Sequence, residues 1–72
     1  MSKLRVLSGR QVCRILAKHG FKKVRQRGDH MIMQRPGPPT CTVPVPDHKE
    51  LAVGTLLSII RQSGVPRSEF ET

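Results

Sequence analysis

Arg25-Gln26-Arg27-Gly28-Asp29-His30-Met31-Ile32-Met33-Gln34 is the stretch whose reading decides the fold. Arg27-Gly28-Asp29 reads as a turn, because Gly28 can take the positive φ that a tight reversal needs. After it, His30 to Gln34 alternates as a strand: Met31 and Met33 point to one face, and His30, Ile32 and Gln34 to the other. Before it, Phe21-Lys22-Lys23-Val24-Arg25-Gln26 offers Phe21 and Val24 as good strand residues, with imperfect alternation. Two such runs joined by a glycine-containing turn predict a β-hairpin.

Working outward, Pro36-Gly37-Pro38-Pro39 cannot be helix or central strand and forms a second turn. Thr40-Cys41-Thr42-Val43-Pro44-Val45 is rich in β-branched residues and makes a third strand. Pro44 lacks an amide donor, which puts that end of the strand at an edge or at the exit from the sheet. Upstream, Ser8-Gly9-Arg10-Gln11 is a capping box, with Leu7 and Val12 at the hydrophobic-staple positions. Val12, Cys13, Ile15 and Leu16 then repeat at helical spacing, and Gly20 ends that helix. Downstream, a polar connection from Pro46 to Glu50 leads to a helix from Val53 to Ser63. Leu56, Leu57, Ile59 and Ile60 are its expected buried face, Gly64 closes it, and Pro66 opens a short C-terminal helix through Phe70. The order is α-β-β-β-α in a single domain over residues 1–72: an α+β fold, with a three-stranded antiparallel sheet covered on one face by two helices. The other face stays open to solvent or to a partner. The double-stranded RNA-binding fold is one such module.

The 72 residues carry a formal charge of +8. Ten Lys or Arg and one acid give the segment Met1–Arg35 a charge of +9, whereas Pro36–Thr72 is at −1. Charge concentrated in this way points to a polyanionic partner. Arg10, Arg14 and Lys18, four apart, form one basic stripe on the first helix, away from its core face. Lys22, Lys23, Arg25 and Arg27 supply a second basic segment. With Phe21 and Phe70 the only aromatics, and both readable as core, a base-stacking platform is disfavoured. Phosphate contacts need only Lys and Arg and remain open. No apolar run reaches the roughly 20 residues of a membrane span, and no secretory signal is expected at the N-terminus. Cys13 and Cys41 are too few for a disulfide framework and read as reduced, buried thiols of a cytoplasmic protein.

His19, His30 and His48 lack the short spacings of a zinc site, so neither metal nor other cofactor is expected. His19 suits a helix C-terminus, and His48 reads as a solvated loop residue whose loop faces, at most, the same groove as the active site. His30, at the mouth of the turn in the most basic segment, has the chemistry of a general acid or base near neutral pH. From composition alone the plainer reading, an exposed strand-end histidine, comes first.

Five blocks in order shift that balance. Ser8-Gly9-Arg10-Gln11, His19-Gly20-Phe21, Val24 to His30, Thr42 to Pro46 with His48-Lys49-Glu50-Leu51, and Gly54-Thr55-Leu56 with Ser58 to Gly64 together resemble the HicA toxin family, across about Ser8 to Phe70. The resemblance implies an mRNA interferase of a HicA–HicB toxin–antitoxin pair, with a double-stranded RNA-binding-like fold, cutting RNA without a metal. It maps the catalytic histidine of a Gly-Ser-His motif onto His30, with Gly28 as the turn glycine, and it implies a HicB-like antitoxin that covers this site. Asp29 stands where the family has serine. An acid there could stabilise the imidazolium, cap the turn, or repel phosphate. Met31-Ile32-Met33 follows where the family often has a second histidine or an aromatic, which leaves no second ring as partner base. Val53 replaces a proline usual near the start of the second helix. In the resulting picture mRNA lies over the exposed sheet edge and the basic stripe of Arg10, Arg14 and Lys18. Lys22, Lys23, Arg25 and Arg27 hold its phosphates, and His30 transfers the proton. Two rivals share the fold: a module that binds RNA without cutting it, and an inactive remnant that only binds the antitoxin.

Overall fold

The computed structural model describes residues 3–72. Helix α1 (Gly9–Ala17) is followed by strands β1 (Lys22–Arg27), β2 (His30–Arg35) and β3 (Cys41–Pro46), helix α2 (Val53–Ser63) and a 3-10 helix (Arg67–Phe70). The strands form one antiparallel sheet in the order β1-β2-β3, so Pro44 lies on an edge strand.

Both expected signals at the start of α1 are present. Gln11 N–H donates to Ser8 Oγ at 3.1 Å, and Ser8 N–H donates to Gln11 Oε1 at 2.8 Å. Leu7 and Val12 are both fully buried. The regular helix stops at Ala17, earlier than a glycine at position 20 suggests, and Lys18 to Gly20 form a turn. α2 matches its expected span, but Leu57 does not match its expected burial. Leu56, Ile59 and Ser63, at i, i+3 and i+7, face inward, while Leu57 is 37% exposed. The buried Ser63 hydroxyl donates to Ile60 O and accepts from Val65 N–H.

Val12, Ile15 and Leu16 of α1, Met31 and Met33 of β2, Val43 and Val45 of β3, and Leu56 and Ile59 of α2 form one apolar cluster, closed by Val65 and Phe70. α1 thus lies across the methionine face of β2, and α2 packs along the β3 edge. The two ends of the described chain are joined. Arg5 N–H donates to Phe70 O at 2.8 Å, Thr72 N–H donates to Lys3 O at 2.9 Å, and Leu4 bridges Glu71.

The imperfect alternation of β1 has a structural cause. The pairing jumps from Lys23↔Met33 to Arg25↔Ile32, leaving Val24 as the extra residue of a β-bulge. Paired residues share a face, so Lys22, Arg25 and Arg27 lie with Gln34, Ile32 and His30 on the open face, and Lys23 and Gln26 lie on the helix side. The closing pair Arg27↔His30 puts Arg27, and Arg25 two residues before it, on the face of His30, and the bulge then turns Lys23 to the helix side and Lys22 to the open one.

Among the described residues, no helix is long and apolar enough to cross a membrane.

Candidate active site

Gly28 and Asp29 are the whole loop between the closing pair Arg27↔His30. Gly28 has φ +58°, as the first position of a tight type II′-like reversal requires. Gln26 Nε2 donates to Gly28 O at 3.0 Å and braces the turn. His30 therefore enters β2 at a defined point, with its side chain on the open face and 51% exposed.

Two depressions meet at His30. One is walled by Arg25, Arg27, Ile32, Thr42 and Pro44, and the other by Pro44, Pro46, Gly54, Thr55, Ser58 and Gln62. Ile32, only 7% exposed though outside the main core, floors the first between Arg25 and Pro44, its partners on either side. The imidazole thus stands between a guanidinium wall from β1 and a neutral polar wall from α2. That is an arrangement able to receive an anionic chain on one side and hydrogen-bonding groups on the other.

A second imidazole is close by, contrary to the expectation that no other ring is available. His48 Nε2 lies 3.0 Å from Asp29 Oδ2, and Asp29 Oδ1 lies 3.8 Å from His30 Nδ1. The second contact is too long for a hydrogen bond but is within ion-pair range. The hydrogen bond from His48 holds the Asp29 carboxyl below its usual range, against an opposing desolvation and with a lesser contribution from the charge of His30. Three further bonds fix the loop that carries His48. Asp47 N–H donates to Asp29 O at 2.6 Å, Gly9 N–H donates to His48 O at 2.9 Å, and Leu51 N–H donates to Leu7 O at 2.9 Å. A Cβ on Gly9 would collide with the carbonyl oxygen of Pro46, so α1 can start here only with glycine. The missed signal lay in strand pairing: His30 opposes Pro46, so the residues just after Pro46 must pass the Gly28-Asp29 turn. Among the described residues, no three His, Cys, Asp or Glu side chains converge as ligands for a metal ion.

The expected basic residues divide into groups. Arg25 and Arg27 border His30, and Lys22 lies on the same face beside Gln34. Lys23 is on the helix side, near enough to the half-buried Cys13 thiol to offset part of the upward shift that burial imposes on it. Arg10 Nε lies 3.3 Å from Asp47 Oδ1, beside His48 and Lys49. Arg14 and Lys18 line a separate depression with Arg5 and Gln11. The open face therefore gathers Arg25, Arg27 and His30, and does not gather the stripe of α1.

The family model described as the HicA toxin of bacterial toxin-antitoxin matches residues 9–65. The chain belongs to the HicA toxin family. The match to this HicA family begins at Gly9, takes in the hairpin, His30, Asp29 and His48, and ends at Val65. It thus spans every residue of the site just described, and it makes the protein a relative of toxins from toxin–antitoxin systems. No curated protein matches the chain.

Proposed function

We propose that this HicA-family protein is an endoribonuclease, an mRNA interferase acting in the cytoplasm and neutralised by a HicB-like antitoxin. The observation that carries the reading is His30, half exposed on the open face with Arg25 and Arg27 beside it. RNA would lie along that face with a phosphate against the two guanidiniums, which match phosphate geometry and neutralise charge building on its oxygens. His30 takes the proton of the adjacent ribose 2′-hydroxyl. The 2′-oxygen then forms a bond to phosphorus, the P–O5′ bond breaks, and O5′ takes a proton from water. The products are a 2′,3′-cyclic phosphate and a 5′-hydroxyl. The step as written uses only groups of the chain, the RNA and water, and calls for no metal or other cofactor. Lys22 would engage a more distant phosphate on the same face. Lys23, Arg10, Arg14 and Lys18 would contribute to the long-range field or to RNA that passes round the sheet. An antitoxin that covers His30 with an acidic, shape-matched surface would exclude RNA.

The rival reading, an RNA-holding module that does not cut, is favoured by the exposed Asp29 carboxylate beside His30, which repels phosphate. Cleavage of a labelled mRNA in EDTA, with the purified chain and with His30→Ala, separates the two. Cutting by the first protein alone, with cyclic phosphate ends, supports the interferase. Equal binding with no cutting by either protein supports the module.

A further inference from the structure

We propose that His48 and Asp29 form a positioning pair for His30, in which His48 holds the Asp29 carboxylate so that its other oxygen faces Nδ1 of His30 and leaves Nε2 free towards the groove. This rests on the ribonuclease reading above and assigns two residues to that site. An ionised carboxylate can only accept hydrogen bonds, so the proton of the Asp29–His48 contact sits on His48 Nε2. That bond uses Oδ2 and turns Oδ1 towards His30. A carboxylate facing Nδ1 favours the tautomer that carries its proton there. Nε2, across the ring, is then the bare nitrogen able to accept a proton from a 2′-hydroxyl. The 3.8 Å separation leaves room to tighten when substrate binds, as catalytic contacts commonly do.

The backbone builds this geometry before any substrate arrives. Asp29 O receives Asp47 N–H, and His48 O receives Gly9 N–H, so the turn and the loop are tied to each other and to the start of α1. The second ring thus comes from the β3–α2 loop and not from the residue after His30. The acid in place of the family's serine has a partner. The charged and titratable groups around His30 are few: Arg25 and Arg27 from β1, Asp29 from the turn, and His48 from the loop, while α2 presents neutral Thr55, Ser58 and Gln62. Asp29 is the one negative charge in this set.

The test reads His30 directly. Long-range nitrogen–proton NMR gives the tautomer of its imidazole in the wild-type chain and in Asp29→Asn, His48→Ala and His48→Gln. Cleavage of an RNA oligonucleotide against pH is measured on the same samples. Asp29→Asn and His48→Ala should each lower the Nδ1–H population of His30. Each should reduce kcat by roughly tenfold, with KM unchanged or lower. His48→Gln, whose amide can still donate to Asp29, should restore most of both. The double variant Asp29→Asn/His48→Ala should be no slower than Asp29→Asn alone, since His48 acts through Asp29. An unchanged tautomer in both single variants overturns the proposal. So does a further tenfold loss on adding His48→Ala to Asp29→Asn, which would mean that His48 touches RNA itself. A wild-type chain that never cuts RNA sinks the ribonuclease reading instead, and the NMR result then decides the coupling by itself.

Discussion

The two faces of β2 put alternate residues of one strand to opposite uses. Met31 and Met33 are sealed under α1 and among Val43 and Val45, where shape and apolar area count. His30 and Gln34 look away from that core across a face lined by Arg25, Arg27, Thr42 and Pro44. One face holds the fold together and the other holds charge in reach of solvent. A substitution on one should leave the property of the other nearly untouched.

The largest effects should separate the faces. His30→Ala is expected to lower cleavage by about 10²–10⁴-fold, the usual worth of a general acid or base, while the melting temperature stays within a few degrees. Met33→Ala should do the reverse. It removes a buried side chain and costs about 2–5 kcal/mol in a urea melt, with the folded fraction retaining its activity per molecule. If Met33→Ala abolished cleavage without altering the melt, the division between faces would be wrong. Gly9→Ala comes next, and it couples the two. The added Cβ meets the Pro46 carbonyl, costs about 1–3 kcal/mol, and displaces the loop that carries His48. Chemical shifts of the His48 ring should therefore move in that variant, and not in Met33→Ala.

Smaller effects sharpen the comparison. Arg25→Ala and Arg27→Ala should each weaken RNA binding several-fold and lower the salt slope by about 0.7, the value of one single-strand phosphate contact. Arg14→Ala, in the depression beside α1, should change binding less than about twofold. Equal losses at Arg14 and Arg25 would mean that RNA wraps onto the helix side. The smallest effect concerns Asp29. Its carboxyl pKa is lowered in the fold, so its contact with His48 stabilises above the ordinary value of 3.8 and is lost as pH falls through the lowered one. A carbon-detected titration should find that His48→Ala moves the Asp29 midpoint up towards 3.8.

Much of this was legible in local sequence. Ser8-Gly9-Arg10-Gln11 places the start of α1 because a capping box is made by residues three apart. Gly28 marks the hairpin because few other residues accept its φ. The alternation from His30 to Gln34 assigns both faces of β2, since side chains in a strand change sides at every residue. His30 as the candidate group follows from its position after the turn and from the family motif. The stripe of Arg10, Arg14 and Lys18 was also legible, but not its distance from His30.

What only the tertiary structure decided depends on register between distant segments. The bulge at Val24 turns Lys23 to the helix side and leaves Lys22 on the face of Arg25, Arg27 and His30. That choice is made by pairing with β2, and β1's own residues alternate too poorly to announce it. Leu57 is exposed because α2 meets the sheet mainly along the edge strand β3, which leaves only a narrow inward arc. His48 joins the site because β3 runs antiparallel to β2 and delivers its end to the turn, 19 residues from Asp29 in sequence and 3.0 Å away in space. Hydrogen bonds between near neighbours and the period of a strand or helix are properties of the chain itself. The meeting of two loops is a property of the packed core that aligns the strands leading to them.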